Sequence, residues 1–133
     1  MKRTRLRRVA KKRSLRKQLW PEFSKLIRAR DKVCKMAGQE FGACGGNLQA
    51  SHIYPKGKYP LLELFPLNVK ALCYRHHLTV WHRNPLECAA WMRKTFPAQW
   101  LDTLITTKNS SLSRKGMTEQ EIRAEWQRYG LTP

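Results

Sequence analysis

LQASHIY (48–54) and LCYRHHLTVWHRNPLECAAW (72–91) are the two segments from which the fold of this 133-residue chain can be inferred. The first segment is typical of a β-strand, and residues 69–72 are short, apolar and β-capable. A helix is predicted to begin near Cys73. All four histidines of the chain, at positions 52, 76, 77 and 82, lie within 31 residues. Histidines with structural roles alone would not be expected to crowd in this way, so the segments are predicted to form a site.

Cysteines join these histidines in a pattern typical of zinc binding. Cys73 and His76 are three residues apart, so on a helix they face the same side and can share a metal ion. Cys34 and Cys44 lie in a glycine-rich stretch that predicts turns and a hairpin, and would complete a tetrahedral Cys3His site. The alternative is that Cys88 replaces His76; otherwise Cys88 is an inert buried thiol.

The histidines that remain after His76 is assigned to zinc indicate a catalytic metal. Between residues 32 and 86 the only carboxylates are Glu40 and Glu63, so a two-metal site built from carboxylates is hard to assemble. A metal ion there must rely on imidazoles. With a neutral histidine as general base and a cation beside the phosphate, this pattern predicts a one-metal phosphodiesterase.

The order of these residues resembles the HNH (ββα-metal) endonucleases over about residues 30–95. It resembles the NinG/Rap-type phage recombination branch more closely, and the RecA-dependent Ref nucleases more distantly. The matching elements are Cys34, Cys44, LQASHI (48–53), Asn68, LCYRHH (72–77) and WHRNPLECAAW (81–91). The resemblance implies a β-hairpin followed by a metal-gripping helix that docks into a DNA groove. The expected fold is therefore α+β, a small zinc-stabilised ββα-metal core with flanking helices and a basic N-terminal arm.

The resemblance also implies roles for single residues. His52 matches the general base at the end of the first strand, and Asn68 matches the asparagine that braces the loop orienting that base. His77 matches a metal ligand on the helix, and His82 would be a second ligand. Ser51 stands where many such enzymes have an aspartate that binds the metal ion.

The spacing of His77 and His82 sets a condition on the second ligand. Five residues turn a regular helix by roughly 140° past one full turn, so both side chains reach one ion only if the helix ends or distorts near Trp81. The alternative is that His82 is a polar cap of that helix.

Positive charge is concentrated near the beginning of the sequence. The formal net charge is +18, and residues 1–35 hold fifteen of the 27 basic side chains and two of the nine acidic ones. Residues 1–18 are predicted to be an arm that binds phosphates, the alternative being a solvated, disordered tail. Candidate DNA contacts, each of which could instead be a solvated charge, are Arg5, Arg7, Arg8, Lys11, Lys12 and Arg13 in the arm and Lys56, Lys58, Arg75 and Arg83 around the histidines.

The remaining segments predict a nuclease core over residues 19–96 and a helical extension over 97–133. Helices are expected from Trp20 to about Asp31, from Asn84-Pro85 to about residue 94 and over 97–107. A last helix should open with a capping box at Thr118 and end at Gly130. Residues 1–18 lack the apolar region of a secretory signal, and no run is long enough to span a bilayer. The setting expected from this is a reducing cytoplasm, that of a bacterial host if the chain is encoded by a phage.

These observations together predict a metal-dependent DNA endonuclease with structural Zn²⁺ and a catalytic Mg²⁺ or other divalent cation. The resemblance implies branched or displaced-strand DNA of phage recombination as substrate, handled with recombination proteins and without a membrane. The alternative is a non-catalytic, zinc-stabilised nucleic-acid-binding module whose affinity comes mainly from the basic arm.

Overall fold

The computed structural model describes residues 13–133, and these form a small α+β fold, as the sequence predicts. Arg5, Arg7, Arg8, Lys11 and Lys12 of the predicted arm lie outside the described residues. The elements in chain order are α1 (Leu15–Asp31), β1 (Leu48–His52), β2 (Val69–Cys73), a π-helical turn (His76–Trp81), α2 (Pro85–Thr95), α3 (Ala98–Asn109) and α4 (Glu119–Arg128). Short 3₁₀ turns occupy Pro60–Leu62, Pro66–Asn68 and Ser111–Arg114.

The first helix begins five residues before the predicted start. The Ser14 hydroxyl caps it by accepting a hydrogen bond from the backbone N–H of Lys17, at 3.4 Å. Leu15 and Leu19 continue, at intervals of four, the apolar face that Phe23 carries into the core. The basic side chains between these leucines hid this face in the sequence, so residues 15–18 of the predicted arm are helical.

The two strands form an antiparallel pair in which Leu48 lies opposite Cys73 and His52 lies opposite Val69. Side chains of β2 are buried on both faces of this ribbon. On one face, α1 and α4 enclose Val69 in an apolar cluster with Leu64 and Trp126. A second cluster contains Leu72 and Cys73 of β2 and side chains of the π turn and α2. The ribbon is thus a core element despite having only two strands.

The end of α1 covers the outer edge of β2. The Asp31 carboxylate accepts the backbone N–H of Ala71 at 2.8 Å, and the Ala71 carbonyl accepts the N–H of Lys35 at 2.9 Å. The Arg30 guanidinium donates to the carbonyl of Val69 at 2.7 Å. These bonds satisfy polar groups that a third strand would otherwise pair.

Residues 97–133 pack against the rest of the chain. The indole N–H of Trp100 donates to the Leu67 carbonyl at 2.8 Å, and that of Trp126 donates to the Leu64 carbonyl at 3.0 Å. The predicted capping box forms at the start of α4 between Thr118 and Glu121. Among the described residues, no helix has both the length and the apolar character needed to cross a membrane.

We expect Asp31→Ala to lower the free energy of unfolding by about 2 kcal/mol, because it leaves the backbone N–H of Ala71 without its acceptor at the strand edge. Urea unfolding with zinc present measures this. Asp102→Ala is the matched control, since Asp102 is exposed on α3, and should change stability by less than about 0.5 kcal/mol. Equal effects of the two changes would show that the carboxylate does not hold the edge.

Candidate metal centre and histidine cleft

Three thiols and one imidazole converge where the glycine-rich loop meets the end of β2. The ligand atoms of Cys34, Cys44, Cys73 and His76 all lie within 4.8 Å of one another. The sulfurs of the three cysteines lie 3.3, 3.7 and 3.3 Å from His76 Nδ1. Zinc bonds of ~2.3 Å to sulfur and ~2.0 Å to nitrogen in a tetrahedron separate such atoms by ~3.5 Å. This group could therefore hold a metal ion such as zinc.

Hydrogen bonds prepare the ligands for a cation. His76 Nε2 donates to the carbonyl of Gly42 at 3.1 Å, so the lone pair is on Nδ1, the atom that faces the sulfurs. Burial raises the pKa of Cys73, but backbone N–H groups of Gly45 and His76 outweigh it, and the pKa is lowered overall. Desolvation and the neighbouring thiols raise the pKa of Cys44 to about 11. A divalent cation would offset the repulsion between thiolates.

Arg75, a predicted phosphate contact, binds the glycine-rich loop. Its guanidinium donates to the carbonyls of Phe41 and Ala43 at 3.0 and 2.7 Å. Gly46 must be glycine here, because its φ is +79° and a Cβ atom would lie 2.5 Å from the Cβ of Tyr74. These contacts bring Cys44 to the other three ligands.

Cys88, the alternative zinc ligand, lies outside this group. Its side chain is buried on α2, and its thiol donates to the carbonyl of Val80 at 3.8 Å. The geometry therefore favours His76 as the fourth ligand of the metal.

His52 ends β1 with its tautomer set by the backbone. Its Nε2 lies 3.0 Å from the carbonyl of Glu63, which can only accept, so Nε2 carries the proton and Nδ1 carries the lone pair. The ring stacks on Trp20, with centroids 5.0 Å apart. Burial lowers the pKa of His52 to about 4, and the positive charges of Lys56 and Lys70 add to this against the opposing effect of the Glu63 carbonyl. His52 is therefore a neutral imidazole at pH 7.

The π-helical turn places His77 and His82 side by side. Its i→i+5 hydrogen bonding widens the turn, so residues five apart lie close to one another on one side. The two ring centroids are 4.9 Å apart. The helix is thus distorted up to Trp81, which is the condition that the sequence sets for both histidines to reach one ion.

A glutamine on β1 fixes the orientation of His77. His77 Nδ1 donates to Gln49 Oε1 at 2.8 Å, which leaves the Nε2 lone pair available to a cation. Burial lowers the pKa of His77 to about 4, and smaller electrostatic effects of His82, Lys70 and His52 act in the same direction. The imidazole is neutral and able to act as a ligand at pH 7.

Asn68 holds the connection between the strands. Its side-chain amide accepts the N–H of Tyr54 at 2.8 Å and donates to the carbonyls of Tyr54 and Leu62, both at 3.1 Å. Leu62 directly precedes Glu63, whose carbonyl binds His52. The asparagine is fully buried and braces both ends of the loop that fixes the His52 tautomer.

A buried amine lies beneath the histidines. Lys70 is fully buried opposite Ser51, and its Nζ lies 3.1 Å from the centroid of the Trp81 ring. Burial holds the pKa of Lys70 well below its usual value. The Trp81 indole N–H donates to the carbonyl of His52 at 3.0 Å. Ser51 points into this interior, so it does not replace the aspartate ligand of the HNH pattern.

The structure brings His52, His77 and His82 together on one cleft of about 870 Å³. Lys56 also lines this cleft. The other described candidates for DNA contact lie outside its lining: Lys58, Arg83 and Arg13 are exposed on the surface, and Arg75 holds the glycine-rich loop.

Sequence reasoning missed three residues that contact the histidines, Gln49, Trp20 and Trp81, and it also missed Lys70, whose amine lies against the Trp81 ring. Strand alternation places Gln49 and His52 on opposite faces of β1, so nothing indicated that Gln49 binds a cleft histidine. The stacking of Trp20 on His52 depends on the packing of α1, which the sequence pattern does not reveal. In the sequence, Trp81 resembles an ordinary member of an apolar segment and Lys70 an ordinary member of a strand, so the pattern did not indicate their place in the site.

Comparisons with known proteins found no relative: no family model, curated protein or solved structure matches the chain.

We expect the purified chain to carry one zinc ion, and Cys44→Ala to lose it, because three ligands remain of four. Elemental mass spectrometry after dialysis measures the zinc, and thermal unfolding measures the resulting loss of stability. Cys44 is exposed, so this change removes a ligand without opening a core cavity.

Cys88→Ala is the control for Cys44→Ala, and should keep the zinc while losing stability through core packing. Zinc loss in Cys88→Ala with retention in Cys44→Ala would reverse the ligand assignment.

Proposed function

We propose that this chain is a metal-dependent endonuclease that hydrolyses phosphodiester bonds of DNA, with a site of the HNH (ββα-metal) type. The observation that carries the proposal is the cleft in which a neutral His52, with a free Nδ1 lone pair, lies with His77 and His82. A hairpin strand, a bracing asparagine and a helical turn bearing histidines also occur in the order that the sequence resemblance requires.

His52 is the proposed general base. In the reaction its Nδ1 takes a proton from a water molecule whose oxygen attacks the phosphorus, and the bond to the 3′ oxygen breaks. The 3′ oxygen leaves and takes a proton from solvent, and the phosphoryl group stays on the 5′ oxygen, so the products have 3′-hydroxyl and 5′-phosphate ends. The Glu63 carbonyl stabilises the imidazolium that forms, because it already accepts the Nε2 proton.

His77 and His82 are the proposed ligands of the catalytic ion. A divalent cation held there would supply positive charge next to the phosphate and the leaving oxygen. Imidazole nitrogens suit Ni²⁺, Co²⁺ or Zn²⁺ better than Mg²⁺, and the described residues that line the cleft include no carboxylate. Of the divalent cations expected from sequence, the donor set therefore favours a transition-metal ion over Mg²⁺, and a panel of metal ions belongs in every cleavage assay.

DNA is the proposed polyanion because of the net charge of +18 and the basic side chains near the cleft. Arg5, Arg7, Arg8, Lys11, Lys12 and Arg13 would add phosphate contacts from the N-terminal segment. The resemblance to NinG/Rap-type nucleases favours branched or displaced-strand DNA of phage recombination as the substrate.

We expect His52→Ala to reduce nicking of supercoiled plasmid by about 10²–10⁴-fold with Mn²⁺, Co²⁺ or Ni²⁺ present, because the general base is lost. DNA affinity in a gel-shift assay should stay within about threefold, since affinity comes mainly from basic side chains. Added imidazole should restore part of the activity, because the ring space beside Trp20 and the Glu63 carbonyl is then open.

Imidazole rescue separates a chemical role of His52 from a structural one. Parallel loss of binding and cutting without rescue would show that His52 supports the fold. Absence of nicking by the wild-type chain on every DNA and metal ion, with binding intact, would establish the non-catalytic zinc module instead.

The lowered pKa of His52 predicts an unusual pH profile. A base with a pKa of about 4 stays unprotonated down to about pH 5, so kcat/KM should not fall between pH 7 and pH 5. Lys56→Ala should move the acid limb upwards, because the Lys56 charge helps to lower this pKa. Lys58→Ala, also on the exposed loop, should leave the limb in place. An acid limb near pH 6.5 in the wild-type chain would contradict the assignment.

A further inference from the structure

The histidine cleft is larger than the proposed hydrolysis requires. Its volume of about 870 Å³ falls in the range of sites that enclose whole small molecules. A phosphate group, a metal ion and a water molecule need only the end at which the three histidines lie. The remainder of the cleft extends between β1 and the helices α2 and α3.

The lining of this remainder is apolar and aromatic. Residues of α2 and α3 form much of it: Pro85, Ala89, Met92, Leu101, Leu104 and Ile105. Trp20, Tyr54 and Trp81 line it near the histidines. Such a surface contributes nothing to the binding of phosphate or a metal ion, but it suits a flat heteroaromatic ring, which gains by stacking and by burial of its faces.

Positive charge flanks the apolar part. Lys56 and Arg93 line the cleft, and among its described lining residues none is acidic. On the α3 side, the Lys108 amine lies 5.4 Å from the ring centroid of Tyr54 and 5.9 Å from that of Tyr59. An apolar recess flanked by cations is complementary to one kind of group, an aromatic base joined to a phosphate chain.

We propose that the cleft takes up one unpaired nucleobase of the DNA strand that is cut, next to the phosphate at the histidines. This inference rests on the proposed nuclease function and adds its selectivity. A base in a perfect duplex must first break its pairing and stacking to enter, whereas a base in a single strand, gap or mismatch does so at lower cost. The chain therefore acts on unpaired DNA in preference to duplex.

The first test is a binding series with single-stranded oligonucleotides in which one abasic position is moved along the strand. Removing the base that enters the cleft should weaken binding about tenfold, as expected for loss of one stacked base, and removing other bases should change it little. In Ala89→Trp, whose new side chain fills the recess, removal of that base should have no further effect. Ala89 is exposed, so the substitution leaves the core intact.

Ala90→Trp is the matched control, because Ala90 is an exposed neighbour on α2 that does not line the cleft. It should bind and respond to abasic positions as the wild-type chain does. The base pocket would be refuted if no abasic position weakened DNA binding by the wild-type chain, or if the two tryptophan variants behaved alike.

Cleavage of matched single-stranded, mismatched and fully paired DNA is the second test. Wild-type kcat/KM should be at least about tenfold higher on the unpaired substrates, and Ala89→Trp should remove that preference. If the three DNA substrates were cleaved equally and no abasic position affected binding, the pocket would be refuted but the nuclease function would not. One sensitive abasic position without cleavage of any DNA would refute the nuclease and support the pocket.

Discussion

Three cysteine sulfurs converge on the Nδ1 atom of His76, and this convergence holds the other parts of the site in position. It ties a glycine-rich loop with little secondary structure to the end of β2 and to the first residue of the π turn. His76 is followed directly by His77, so the group that could hold zinc lies one peptide bond from a histidine of the cleft. The group that could hold zinc and the histidine cleft thus share one short segment, and the geometry of the first fixes the position of the second.

Much of the fold could be predicted from local patterns. The strand within residues 48–54, the Asn84-Pro85 start of α2 and the capping box of α4 all appear in the structure, because each depends on residues adjacent in sequence. The predicted start of α1 was wrong by five residues, because the basic side chains around Leu15 and Leu19 resemble the preceding basic block. The contribution of α1 to the edge of β2 could not be foreseen, because it joins Asp31 to Ala71 across 40 residues.

The site, like the fold, could be predicted from the sequence only in part. The Cys3His group was predicted by spacing and residue type, and its geometry separates His76 from Cys88. The supporting residues were not predictable: Gln49, Trp20 and the Glu63 carbonyl reach the histidines through tertiary packing that has no counterpart in a short motif. The tautomers of His52 and His77 follow from those contacts, so sequence reasoning gave the identity of the imidazoles but not which nitrogen is free.

The π turn has a consequence for how the segment can vary in length. Its extra residue brings His77 and His82 together, and only residues 82–84 separate it from α2, one wall of the cleft. Inserting or deleting one residue in 76–84 would rotate the histidine pair, α2 or both by about a quarter of a turn. A change in the length of the exposed loop at 55–58 would cause no such rotation. Related chains should therefore keep the length of 76–84 strictly, while exchanging its exposed side chains, and should tolerate insertions in the loop.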